Sequence, residues 1–190
     1  MASPLMKILT ISGSLKATSF NTGLLRTLAH MAPEGVTVVE ASIADIPMFN
    51  EDLEVAGMPA SVVALKQQIA EADGVVISTP EYNFSYPGVL KNAIDWASRG
   101  PVRPFADKPV ATISVSPGNF GGIRAQTDLR RLMHSIGAHV LPKPEIAIPQ
   151  AKLKFDDDRR LTDEATRAMI TTLIEKFSAF IRVHNSQASE

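Results

Sequence analysis

The chain contains no cysteine. That excludes disulfides, thiolate zinc sites, iron–sulfur ligation and a cysteine nucleophile, and it fits a reducing compartment. It has no surplus of either charge: 19 Lys+Arg stand against 20 Asp+Glu, for a net charge of -1. Electrostatics therefore recruit neither nucleic acid nor an anionic membrane. No apolar run approaches the ~20 residues of a membrane-spanning helix. The opening Met1-Ala-Ser-Pro-Leu-Met-Lys7 lacks the basic and apolar segments of a secretory signal. A cytoplasmic location is the expectation, with the polar tail His184–Glu190 frayed. The four histidines, His30, His134, His139 and His184, are dispersed and build neither a metal site nor a triad.

What is present is an ordinary globular composition, 45% hydrophobic over 190 residues, read as one domain with a core from about Lys7 to Val183. Five apolar, β-rich runs stand out: Ile8–Ser12, Val36–Glu40, Gly74–Thr79, Val110–Val115, and His139–Leu141 with Ile146–Ile148. Near-continuous apolar strands belong to a sheet covered on both faces. Helical patterns separate them at Asn21–Met31, Pro59–Glu71, Pro87–Ala97, Ile123–Ile136 and Thr162–Val183, the last with a cap at Thr162. Strict β–α alternation predicts a doubly wound α/β fold. Five strands favour the flavodoxin-like three-layer sandwich with a parallel sheet in the order 2-1-3-4-5. The stretch Asp156-Asp157-Asp158-Arg159-Arg160 reads as a solvated turn.

In this architecture ligands bind beyond the carboxyl ends of the strands. Three loops leave those ends. The first, Gly13–Thr22, carries hydroxyls, an amide and Lys16, and no acid. Free N–H groups and the helix dipole suit a phosphate there, although Ser19 or Asn21 would equally serve as a plain helix cap. Neither the Gly-Lys-Ser/Thr of a P-loop nor Gly-x-Gly-x-x-Gly is present in it. The second, Thr79–Gly88, sets Tyr82, Phe84 and Tyr86 between Pro80 and Pro87, as a platform for a flat ring or as plugs for the core edge or an oligomer contact. The third, Ser114–Gly122, has three glycines that admit close backbone approach, or that simply make a flexible connection. A site with an anion cradle, an aromatic platform and little acid–base machinery suits a cofactor that carries its own chemistry, such as flavin mononucleotide (FMN).

Four segments in register make the chain recognisable: Gly13-Ser-x-x-x-x-Ser19-x-Asn21, Pro80-Glu-Tyr-Asn83, Leu90-Lys-Asn-Ala-Ile-Asp-Trp96 and Ser116-x-Gly118-x-x-Gly-Gly122-x-Arg124. They resemble the NAD(P)H-dependent FMN reductase family, which includes quinone, chromate and azo-dye reductases. The resemblance runs from about Lys7 to Val183. It implies tightly but non-covalently bound FMN, NADPH or NADH as donor, and a homodimer or homotetramer acting on small molecules. By position it gives Ser12, Gly13, Ser14, Leu15, Lys16, Ser19, Asn21 and Thr22 to the phosphate end. Pro80, Glu81, Tyr82, Asn83 and Phe84 go to the ring and ribityl, and Ser116, Gly118 and Gly121 to the other side of the ring. Arg124 would meet a nicotinamide phosphate or an anionic acceptor, or else form a surface or inter-subunit ion pair. No side chain need act as a catalytic group. Lys16 stands where the family usually has arginine, keeping the charge and losing the bidentate fork. The competing expectation is an FMN-bearing electron carrier or redox sensor with a protein partner.

Overall fold

A computed structural model describes residues 5–187. Four strands, β1 (Met6–Ser12), β2 (Val36–Ala41), β3 (Gly74–Thr79) and β4 (Pro109–Val115), pair in parallel in the order β2-β1-β3-β4, as the β–α alternation requires. The fifth position is shared by β5 (His139–Val140), beside Pro109–Val110, and β6 (Ile146–Ile148), beside Ile113–Val115. The flavodoxin-like order therefore holds, with an edge strand broken across residues 141–145.

Every residue of β3 and β4 is buried, which explains why neither strand carries a charged side chain. Their side chains alternate between two cores. Ile8 and Val76 meet Leu24, Leu25 and Leu28 of α1 (Phe20–His30) and Phe177 of α6 (Glu164–Gln187). Leu9, Ile11, Val75 and Ile77 meet Leu65 and Ile69 of α3 (Ala60–Glu71), Leu90 of α4 (Gly88–Ala97) and Leu129 of α5 (Ile123–Ser135). Each such side chain contributes roughly 2 kcal/mol by burial. Both layers hold the carboxyl ends of β1, β3 and β4 side by side.

Several local expectations need correction. A short α2 (Glu51–Ala56) buries none of its residues, so it has no apolar period to read; it is set by the Asn50 cap, whose Oδ1 accepts the Asp52 N–H at 2.9 Å. The final helix is capped by Asp163, not Thr162. The Asp163 carboxylate accepts the hydroxyl and the N–H of Thr166 and a bond from Lys154 Nζ, which together hold its pKa down to about 2. Thr162 Oγ1 donates instead to Lys154 O at 3.1 Å. Helix α6 runs through Gln187, so the tail expected to fray from His184 is helical that far, and Ala188–Glu190 lie outside the described residues, as do Met1–Pro4.

The acidic–basic stretch is more than a solvated turn. It is the tip of a hairpin closed by the Phe155–Leu161 bridge, and its backbone lies on α1 so closely that a Cβ on Gly23 would sit 2.2 Å from Arg159 O. Two of the four histidines also meet in space. The rings of His139 and His184 lie 4.7 Å apart at the amino-terminal edge of the sheet, opposite the three loops. Among the described residues no helix is long and apolar enough to cross a membrane, and no His/Cys/Asp/Glu group could hold a metal.

Candidate functional site

The first loop begins where buried Ser12 ends β1. Gly13 N–H donates to Ser78 O of β3 at 2.8 Å, and a Cβ on Gly13 would press on Leu90 at 3.1 Å. The chain then crosses the surface through half-buried Ser14 and exposed Leu15, Lys16, Ala17 and Thr18 before Ser19 opens α1. Ser19 Oγ accepts the Thr22 N–H at 3.4 Å, so the helix-cap reading is correct for that hydroxyl. It uses only one of the orphan donors. The N–H groups of Leu15, Ala17, Thr18, Phe20 and Asn21 have no protein acceptor among the described residues. A run of free donors at a helix start, with Lys16 exposed among them and no acid within the loop, suits an anion as well.

Beneath the cradle lies a buried polar lattice. Thr22 Oγ1 donates to Ser12 Oγ at 2.9 Å, and Ser14 N–H donates to the same oxygen at 3.3 Å. Asn21, 3% exposed, takes the Ser78 hydroxyl at 2.8 Å and the Val115 N–H at 3.3 Å on Oδ1, and gives Nδ2 to Val115 O at 3.1 Å. Its amide is thus committed to joining α1 to β3 and β4. Ser78 is the partner that sequence reading missed; a serine inside an apolar strand, on the far side of the Asn21 motif, was the available signal.

The second loop leaves β3 through buried Pro80. Tyr82 and Ser85 exchange two backbone bonds, at 2.9 and 3.1 Å, around Asn83 (φ 49°) and Phe84 (φ 70°). This is a two-residue hairpin of the type that needs positive φ at both central positions, usually filled by Asn-Gly. A phenylalanine there carries about 1–2 kcal/mol of strain. Tyr82 and Phe84 are 54% and 67% exposed, whereas Tyr86 packs against the core and burial raises its phenol pKa. Tyr86 is therefore a core plug, and Tyr82 and Phe84 are exposed rings. Glu81, its side chain largely covered, meets the start of α5: its Oε2 accepts the Arg124 N–H at 3.1 Å and its Oε1 pairs with Arg124 Nη1 at 3.0 Å. It caps a helix whose own cap position, Gly122, has no side chain to do so.

The third loop is not a free connection. Ser116 N–H donates to Ile148 O, Ala151 N–H to Ser116 O, and Gln150 N–H to Gly118 O, all within 3.1 Å. Gln150, in the left-handed region at φ 55°, was not foreseen as its support. Gly121 (φ 64°) lies so close to β6 that a Cβ would come 2.6 Å from the Ala147 carbonyl carbon. Gly118, in contrast, is exposed, and a Cβ there would meet only Ser116 Oγ at 3.9 Å. Phe120 is 61% exposed.

The loops are joined to one another and to the elements between them: Gly13 of the first bonds Ser78 O at the end of β3, Glu81 of the second bonds Arg124 in the first turn of α5, and Asn21 of the first bonds Val115 of the third. A donor-lined loop with no acid of its own stands at one end and exposed rings beside an open glycine backbone at the other. FMN, with one phosphate, a polyol and a flat ring, fits those parts; no histidine lies in any of the three loops.

A doubly wound parallel sheet with such a carboxyl edge defines a flavodoxin-like flavoprotein. The model of the NADPH-dependent FMN reductase family matches residues 6–152, and the chain belongs to that family. It is 42% identical to an NAD(P)H-dependent FMN reductase of Pseudomonas aeruginosa over 93% of this chain and 96% of that protein. It is 43% identical to a quinone reductase of Escherichia coli, again over 93% of this chain and 96% of that one. A solved flavoenzyme NAD(P)H:(acceptor) oxidoreductase from Paracoccus denitrificans superposes with a TM-score of 0.86 at 35% identity, covering 94% of this chain and 98% of that chain. The chain is an oxidoreductase that works with FMN and NAD(P)H.

Proposed function

We propose that this chain, as one domain, transfers electrons from NADPH or NADH to quinones, by way of FMN held between the three loops. The observation that carries the reading is the donor-rich cradle of the first loop set beside exposed Tyr82, Phe84 and Phe120. When bound, FMN supplies the redox chemistry, taking hydride from the nicotinamide and passing two electrons to the acceptor. The residues supply position and polarity. Ser14, Lys16 and Ser19, with the free N–H groups of Leu15, Ala17, Thr18, Phe20 and Asn21, hold the phosphate; Ser12, Gly13, Thr22 and the Asn21 amide shape the loop from below. Pro80, Glu81, Tyr82, Asn83 and Phe84 bound one side of the ring, and Ser116, Gly118 and Gly121 the other. The Asn83, Phe84 and Gly118 N–H groups have no protein acceptor among the described residues, which suits negative charge developing on a ring between them.

One open face serving both donor and acceptor in turn requires substituted-enzyme kinetics. The balanced reaction is NAD(P)H plus a proton plus quinone, giving NAD(P)+ and hydroquinone. Such a face discriminates weakly, so chromate and azo acceptors belong to the proposal, as does a homodimer or homotetramer in the cytoplasm. The test is the visible spectrum of the purified protein with added FMN, followed by NADPH and NADH oxidation with a quinone. Parallel lines in double-reciprocal plots at varied quinone are expected. A protein that neither becomes yellow nor quenches FMN fluorescence overturns the cofactor assignment. One that binds FMN but oxidises neither nicotinamide is a carrier and not a reductase.

A further inference from the structure

Arg124 is the best-connected cation of the site, and its partners belong to two different loops. Its guanidinium carbon lies 4.4 Å from the Phe84 ring centroid and 4.4 Å from that of Phe120. Nη1 pairs with Glu81 Oε1 at 3.0 Å, and the Arg124 backbone N–H donates to Glu81 Oε2 at 3.1 Å. Two rings and a carboxylate therefore already engage the guanidinium before any ligand arrives. Phe84 ends the hairpin after β3 and Phe120 lies in the glycine loop after β4, so the stack bridges the two loops that flank the proposed ring site. Phe84 is exposed and in a left-handed conformation, and burial does little to keep it there.

We infer that Arg124 is a positioning residue. It clamps Asn83–Phe84 against the glycine loop and so forms the ring site in advance, in place of binding an anionic substrate. The inference rests on the FMN reading for its functional consequence, though not for the clamp itself. A guanidinium can stack on two rings while its edge pairs with a carboxylate; an ammonium, as a hydrated point charge, cannot. Lysine should thus fail here despite keeping the charge, which separates this role from anion binding.

The experiment compares Arg124→Lys and Arg124→Met with the parent, beginning with amide hydrogen exchange in FMN-free protein. The cross-hairpin N–H groups of Tyr82 and Ser85 should exchange about tenfold faster in both variants. FMN affinity, measured by fluorescence quenching, should fall by about tenfold in both. KM ratios between anionic and neutral quinones should stay as in the parent. If either variant folds poorly, Phe120→Leu removes one face of the stack and should raise hairpin exchange several-fold. The inference is overturned if lysine preserves parental exchange and affinity while methionine alone raises KM for anionic acceptors. It is also overturned if exchange is unchanged and only the oligomeric state shifts. Faster exchange in a protein that never binds FMN would sustain the clamp and defeat the cofactor reading; normal FMN binding with unchanged exchange would do the reverse.

Discussion

The two ends of the site are built by opposite means. The cradle is held from beneath, by buried polar groups and by backbone laid on backbone: Asn21, Ser78, Ser12 and Thr22 under it, and the Phe155–Leu161 hairpin against its helix. That hairpin also reaches the loop directly, since Arg159 Nε donates to Thr18 O at 3.0 Å and its guanidinium covers Phe20. The ring end is held from outside, by an exposed stack on a strained turn. Buried polar lattices admit few arrangements, because each lost partner strands another group. Surface stacks are worth less and yield more readily. The anchoring end should therefore be rigid and costly to mutate, and the reacting end adjustable.

The largest test of that contrast is Gly23→Ala. The added methyl would meet Arg159 O at 2.2 Å and Arg159 Cβ at 2.9 Å, so the hairpin must leave α1. Urea unfolding should show a loss of about 3 kcal/mol or more; a loss under 1 kcal/mol would mean the hairpin is not a support. Asn21→Leu comes next. It strands the buried Ser78 hydroxyl and removes the Asn21 bonds to the Val115 backbone, at about 2–3 kcal/mol. Stability near the parental value would show that the lattice is dispensable and the two ends alike.

Lys16→Ala acts on binding and not on folding. FMN affinity should weaken about tenfold, with kcat at saturating FMN unchanged; equal affinity would remove Lys16 from the cradle. The smallest effect is expected at Phe84→Gly. Glycine relieves the positive φ and should add about 1 kcal/mol to unfolding stability while weakening FMN affinity. If stability does not rise, the turn stores no strain and the ring end is less adjustable than the comparison holds.

The sheet order was legible because the β-rich runs alternate with helical patterns and because β3 and β4, buried on both faces, carry no charged residue. Helix α2 was not legible, since nothing on it is buried. The three loops could be located from composition, but their internal logic could not. Asn83-Phe84 does not look like a hairpin turn, because the dipeptide usual there ends in glycine. Asn21 was placed at the phosphate by motif, whereas its amide faces β3 and β4, a choice made by Ser78 and Val115 from 57 and 94 residues away. Arg124 stood out only as a charge; two rings folded over it from separate loops decide what that charge is free to do.

The broken fifth strand has a consequence of another kind. An open parallel sheet ends in unpaired backbone groups that invite a strand from another molecule. At this border β5 offers two residues and β6 three, with Pro142 and Pro144 between them, and Ile148 O already accepts the Ser116 N–H. A border interrupted at that spacing presents no template long enough to copy, so of the two sheet edges only β2, six residues paired to β1, offers a continuous strand.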